Sequence, residues 1–97
     1  MAHKVVLSNR FSNKLATVFT YLESNYAPEI TKDLVDNIDR KITLLSRLSG
    51  LGIASSKISG VCRISISRQS KLYYYVKGKK IIMLDLLYHN TASAQEL

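Results

Sequence analysis

The chain has 97 residues, a formal charge of +7 and a single cysteine, Cys62. This length suits one domain with one modest core, and a lone cysteine excludes an internal disulfide. The sequence holds no apolar run of the roughly 20 residues that span a bilayer, and its first apolar run is too short for a signal peptide, so we expect a protein of the reducing cytoplasm. The seven basic and two acidic side chains of residues 51–97 favour a polyanionic or acidic partner.

The first quarter of the sequence predicts a strand followed by a helix. Residues 4–8, KVVLS, form a short β-branched run that suits a strand, and Ser8 or Asn9 is the expected helix cap. The apolar residues that come next recur at helical spacing and form a stripe wide enough to cover a sheet. These residues are Phe11, Leu15, Val18, Phe19, Leu22 and Tyr26.

A second helix is predicted from Pro28, because proline fits the first turn of a helix and forces the preceding residue out of the helical conformation. Gly50 can close this helix in a left-handed conformation. We therefore expect two antiparallel helices joined by a short turn. The apolar side of the second helix comprises Ile30, Leu34, Ile38, Ile42 and Leu45.

The second half of the sequence predicts three strands, with the sequences GVCRISIS, KLYYYVK and KKIIMLDLL. A loop rich in Gly and Ser, residues 49–60, precedes them, and the short connections at 68–70 and 77–79 predict antiparallel hairpins. The expected fold class is therefore α+β, a single domain of order β-α-α-β-β-β. In it the N-terminal helical hairpin packs on one face of a small antiparallel sheet.

Strand alternation predicts which side chains face away from the helices. Cys62, Ile64 and Ile66 fall two apart and predict a buried side, so that Arg63 is expected on the uncovered sheet face. Asp85 interrupts a final strand that is apolar on both sides, and such a carboxylate needs a partner. Arg63 is the expected partner.

The residue types present disfavour a metal site and suggest no cofactor. His3, His89 and Cys62 fall in unrelated elements, and no glycine-rich phosphate loop occurs. Basic and aromatic groups instead converge around Arg63, the tyrosines at 73–75, Tyr88 and His89. These residues suit RNA binding, with His89 or a tyrosine transferring a proton during cleavage, but strand tyrosines also serve as ordinary packing residues.

The order of these segments resembles the RelE/ParE superfamily of bacterial toxins, which are encoded on plasmids and chromosomes beside an antitoxin. The resemblance runs from Val5 to Leu97. It comprises VVLSNRF, LATVFTYLESNYAP, IDRKITLLSRLSGLG, GVCRISIS, KLYYYVKGKKIIMLDLL and YHNT.

The resemblance implies two alternative targets. In the ribonuclease branch, Lys and Arg residues and a C-terminal Tyr or His cut messenger RNA on the ribosome, and for that activity the catalytic residues here would be Arg63, Tyr88 and His89. Lys57 matches a second basic position, but Leu72 and Asn90 stand where that branch has arginines. Because cations at the reacting phosphate supply a large part of catalysis, the missing charges favour the other branch.

Toxins of the ParE branch are encoded in plasmid stabilisation modules, and they poison DNA gyrase by binding it. We therefore expect a gyrase-directed toxin neutralised by a cognate antitoxin. A degenerate toxin that retains only antitoxin binding, and a nontoxic nucleic-acid-binding module suggested by charge, are further alternatives. The expected binding surface comprises Lys57, Arg63, Tyr73, Tyr75 and Asn90. The helical hairpin is expected to supply an antitoxin groove that comprises Phe11, Leu15, Leu22, Leu34 and Ile38.

Overall fold

Two helices and five strands make up residues 2–88, which are the residues that this computed structural model describes. The elements follow one another along the chain in the order that the sequence pattern predicts, with one short strand added. In chain order they are β1 (Lys4–Leu7), α1 (Asn9–Asn25), α2 (Pro28–Arg47), a 3-10 turn (Ser49–Leu51), β2 (Ile53–Ala54), β3 (Cys62–Ser65), β4 (Ser70–Lys77) and β5 (Lys80–Tyr88).

Ser8 starts α1 and ties it to the sheet. Its hydroxyl accepts the Phe11 N–H at 3.0 Å and donates to the Leu84 carbonyl at 3.1 Å. The predicted cap is thus confirmed, and it also fixes the helix against β5. Pro28 opens α2 as expected. Neither helix within residues 2–88 combines the length and the apolar character needed to cross a bilayer.

The sheet has the strand order β1-β5-β4-β3-β2. Strands β2 to β5 pair in antiparallel fashion, whereas β1 runs parallel to β5. The predicted α+β class and element order are confirmed, with the difference that the sheet is mixed. The helical hairpin carries the chain from β1 to the far side of the sheet, and such a crossover permits a parallel pair. Strand β2, inside the predicted loop, is too short to show a period.

The main core lies between the two helices and one face of the sheet. Phe11 and Leu22 of α1, Leu45 of α2 and the ring of Tyr74 are completely buried there. Cys62 and Ile64 pack against this core, so that Arg63 between them points to the opposite, open face, as predicted. A smaller cluster of Val61, Tyr73 and Leu87 lies on that open face.

An irregularity in the pairing of β4 with β5 changes the position of Asp85. The register shifts between Tyr73 and Tyr74, and Leu84 is left without a partner, as in a β-bulge. Asp85 pairs with Tyr73 in the ladder, and its carboxylate reaches Arg10 at 3.0 Å and Lys14 at 3.9 Å. The expected pairing of Asp85 with Arg63 is therefore wrong, because the basic residues of α1 lie beside the end of β5.

Candidate functional site

An open depression of about 430 Å³ on the sheet contains Arg63. Arg63 pairs with Ile53 of β2 and with Tyr73 of β4, while Lys71 lies two residues before Tyr73 on the same face. Arg63 forms no ion pair with any residue in the range 2–88. The depression therefore combines two cations with an apolar rim, an arrangement suited to an anionic group. Its lining residues are Leu51, Ile53, Arg63, Ile64, Ser65 and Lys71.

The loop that borders this depression is held by Tyr74. The Tyr74 hydroxyl accepts the Gly52 N–H at 2.9 Å and donates to the Ser49 carbonyl at 2.9 Å. Burial raises the pKa of Tyr74, which keeps the hydroxyl able to donate. A Cβ atom at Gly52 would overlap that hydroxyl and lie 2.8 Å from two ring carbons. Gly52 thus allows the loop to rest directly on the tyrosine.

Tyr88 lies on the helix side of the sheet, away from Arg63. It packs against the main core, with its ring centroid 6.5 Å from that of Tyr21, and its hydroxyl donates to Gln69 Oε1 at 3.4 Å. Burial, and then the neighbouring Tyr21, raise the pKa of Tyr88. The predicted catalytic residues Arg63 and Tyr88 are therefore on opposite faces, so the structure does not bring them together.

The other residues of the predicted binding surface differ in their accessibility. Lys57 is exposed in the loop before β3, and Tyr75 is half-buried on the open face. Tyr73 is only 3% exposed because it belongs to the small cluster on that face. His89 and Asn90 lie outside the described residues.

Lys71 is a candidate binding residue that the sequence interpretation missed. It precedes Tyr73 by two positions in a strand, and this spacing alone could have placed it on the face of Arg63. Within residues 2–88, no three His, Cys, Asp or Glu side chains lie close enough together to hold a metal ion. The described face presents the cations Arg63 and Lys71 and the ring of Tyr73.

The predicted antitoxin-groove residues lie mostly beneath the surface. Phe11 and Ile38 are buried in the main core, and Leu15 is partly buried against it. Leu22 and Leu34, also buried, line the floor of a depression of about 140 Å³ beside α2. Core burial of the wide helical stripe explains why few of these side chains reach the surface.

Beside the depression that Leu22 and Leu34 line, another depression of about 270 Å³ continues along α2. The two depressions share Asn37. We call the pair the α2 groove. Helical spacing places its α2 residues on one side of that helix, and Ile66 before β4 forms the opposite wall. The residues that define the α2 groove are Ile30, Leu34, Asn37, Lys41, Leu44 and Ile66.

Comparison with solved structures identifies the architecture. The chromosomal ParDE toxin–antitoxin system of P. aeruginosa matches with a TM-score of 0.76 and 19% identity, over 92% of this chain and 98% of that one. The chain has the RelE/ParE fold. The YoeB dimer of Staphylococcus aureus matches with a TM-score of 0.64 and 18% identity, over 93% of this chain and 100% of that one.

A further structure with the RelE/ParE fold is the toxin–antitoxin complex RelBE2 of Mycobacterium tuberculosis. It matches with a TM-score of 0.63 and 14% identity, over 92% of this chain and 100% of that one. No protein-family model and no curated protein matches the sequence. At these identities the likeness establishes the fold, which covers nearly the whole chain.

Proposed function

We propose that this protein is the toxin of a type II toxin–antitoxin module and that it acts by binding DNA gyrase. The observation that carries the choice of target is that the two expected catalytic residues within the described part of the chain, Arg63 and Tyr88, lie on opposite sheet faces. The higher TM-score with the ParDE system, 0.76 against 0.64 for the YoeB dimer, supports the same branch.

The separation of Arg63 from Tyr88 matters because RNA cleavage needs its proton-transfer group and its cations around the same phosphate. A general base or acid must come within about 3 Å of the proton that it transfers, and the cations must surround the charge that develops in the transition state. Tyr88 packs on the helix side, away from the cations that line the Arg63 depression. Binding to a protein target imposes no such requirement on the two residues.

A supercoiling assay with purified gyrase tests the proposal. We expect the protein to inhibit supercoiling and to leave ribosome-bound messenger RNA intact. Inducing the protein in a bacterial host should cause filamentation and DNA damage, and a cognate antitoxin should relieve both. Failure to inhibit gyrase, together with cleavage of ribosome-bound message, would refute the choice of target.

Ribosome-dependent cleavage of messenger RNA is the second candidate, because Arg63 and Lys71 line one depression suited to a phosphate. In that case, Arg63→Ala should abolish cleavage. The same substitution should change the melting temperature little, since Arg63 is partly exposed and forms no ion pair within residues 2–88, and such an arginine contributes little to folding. A large loss of stability would instead show that Arg63 has a structural role.

For the antitoxin we propose the α2 groove as one part of the binding surface. Ile30 and Leu44 are 42% and 41% exposed, and they offer apolar anchor points along one helix side. Arg40 and Lys41 border the same groove and suit acidic residues of a bound segment. An amphipathic antitoxin helix with acidic flanks has the matching chemistry.

Leu44→Glu tests this groove with Val35→Glu as its matched control. Val35 is also on α2 and is 40% exposed, but helical geometry places it on the opposite side. We expect only Leu44→Glu to weaken antitoxin binding, by about tenfold or more. Equal effects of the two substitutions would exclude the groove. Antitoxin binding without growth arrest by the toxin would support the degenerate alternative.

A further inference from the structure

Three lysines form one row across the open face, at the end opposite to Arg63. Lys4 of β1 pairs with Lys80 of β5, and Lys80 pairs with Lys77 of β4. Residues paired in this way point to the same face, and adjacent strands lie about 4.8 Å apart. Lys79 in the connecting turn adds a fourth exposed cation. We call these four residues the lysine row.

This arrangement is unfavourable for folding. Like charges at directly opposed positions repel one another and destabilise a sheet. None of the four lysines forms an ion pair within the described part of the chain. A lysine on an edge strand can protect it from aggregation, which accounts for Lys4, but β4 and β5 are inner strands. Protection of an edge therefore does not explain Lys77 and Lys80.

The surroundings of the lysine row strengthen its positive field. Residues 51–88 contain seven basic side chains and one carboxylate, that of Asp85. Asp85 is only 4% exposed and is paired with Arg10, so it does not offset charge at the surface. A face that presents cations without exposed carboxylates attracts polyanions and increases their association rate.

The next row on the same face is half-buried and includes an aromatic ring. It consists of Val6, Ile82 and Tyr75 in register across three strands. Beyond it, Lys71 lies six residues from Lys77 along β4, which corresponds to about 20 Å of strand. The open face thus has cations at both ends and a tyrosine between them, over about six nucleotide steps of a duplex strand.

We propose that the lysine row binds the phosphate backbone of a nucleic acid, without base specificity. The ammonium groups contact phosphates, and the ring of Tyr75 lies where it can contact a sugar or a base. This inference is independent of the proposed toxin activity. It adds a second binding site to the face, at the far end from the Arg63 depression.

A nucleic acid fits this end of the face better than an acidic protein segment does. An acidic amphipathic helix relies on apolar anchors that enter a groove for much of its affinity. The lysine row lies at a hairpin end where Lys77, Gly78, Lys79 and Lys80 are all exposed. A backbone of regularly spaced phosphates requires only accessible cations.

The test compares two double variants that lose the same charge. Lys77→Gln with Lys80→Gln removes two members of the lysine row, and Lys32→Gln with Arg40→Gln removes two exposed cations from α2. Binding of the intact chain to a fluorescein-labelled DNA duplex and to a labelled single-stranded RNA is measured by anisotropy between about 50 and about 200 mM salt. Poly-L-glutamate serves as the acidic competitor.

We expect the lysine-row variant to lose about fiftyfold in affinity for the duplex at about 0.1 M salt, with a salt slope lower by about 1.8, because each phosphate contact with a duplex contributes about 0.9 to the slope. For the single-stranded RNA, where each contact contributes about 0.7, the slope should fall by about 1.4. The α2 variant should bind nearly as the unmodified protein does. The melting temperature of the lysine-row variant should stay equal or rise, since repulsion is removed. Equal losses in both variants, an unchanged slope, or preference for poly-L-glutamate over both oligonucleotides would overturn the proposal.

Discussion

Tyr74→Phe tests how the sheet positions the loop beside Arg63. The Tyr74 side chain is completely buried, and its hydroxyl forms two hydrogen bonds of 2.9 Å to Ser49 and Gly52. The substitution removes one oxygen and leaves the ring in place. It therefore deprives the loop of both contacts without opening a large cavity in the core.

The expected cost follows from these two hydrogen bonds. Each contributes about 1 kcal/mol net, so the free energy of unfolding should fall by about 2 kcal/mol. Ser49 and Gly52 are only partly buried, so water can form hydrogen bonds with the Ser49 carbonyl and the Gly52 N–H in the variant. The cost is therefore lower than it would be for two fully buried groups without hydrogen-bond partners. For a domain of this size the melting temperature should fall by about 10 °C.

Thermal and urea denaturation followed by circular dichroism measure this difference, with Tyr75→Phe as the control. Tyr75 is the next residue on β4, half-buried on the open face. Its hydroxyl makes no hydrogen bond with the described residues, so its removal should cost under about 0.5 kcal/mol. Equal losses from the two substitutions would refute the anchoring role of the Tyr74 hydroxyl.

Alkaline pH provides a second measurement on the same residue. Burial raises the pKa of Tyr74 above its ordinary value of 10.0, which the unfolded chain retains. The stability that depends on the neutral hydroxyl is complete below pH 10.0 and is lost as the pH rises toward the higher pKa of the folded state. Tyr74→Phe should therefore reduce the loss of stability above that pH. If stability depended on alkaline pH in the same way in Tyr74→Phe and in the unmodified protein, the Tyr74 hydroxyl would not be the group responsible.

Two further substitutions test neighbouring features. Gly52→Ala should lower the free energy of unfolding by about 1–3 kcal/mol, because the new Cβ overlaps the Tyr74 hydroxyl. A melting temperature equal to that of the unmodified protein would show that the loop can move aside. Asp85→Asn should cost about 1–2 kcal/mol in urea denaturation, a value reduced by the 60% exposure of the Arg10 side chain. The cost should shrink in high salt, and an effect that does not depend on salt would contradict an ionic origin.

Local patterns in the sequence were sufficient for most of the fold. The helical spacing from Phe11 to Leu22 and the alternation at Cys62, Arg63 and Ile64 each depend on neighbouring residues, and the structure confirms both. The Ser8 cap is local in the same sense, because the hydroxyl contacts a residue three positions away. Such signals can be read without knowing which strands pair.

The candidate site was less predictable because its residues meet through pairing between distant segments. Tyr73 and Tyr75 share a face by alternation, yet one is nearly inaccessible and the other is half-buried. The partner of Asp85 is Arg10, which lies 75 residues away in sequence. The pairing of β4 with β5 also contains a one-residue irregularity between Tyr73 and Tyr74, and no turn residue in the sequence marks it.

The sequence by itself determined the α+β class, the element order and the outward direction of Arg63, since these follow from side-chain period and chain-breaking residues. Only the tertiary structure decided that β1 lies parallel to β5, which aligns Lys4 with Lys80 and Lys77. It likewise decided that Tyr88 and Arg63 lie on opposite faces. The physical reason is that sheet order and facing are set by pairing and packing between segments far apart in the sequence, and no single segment carries that information.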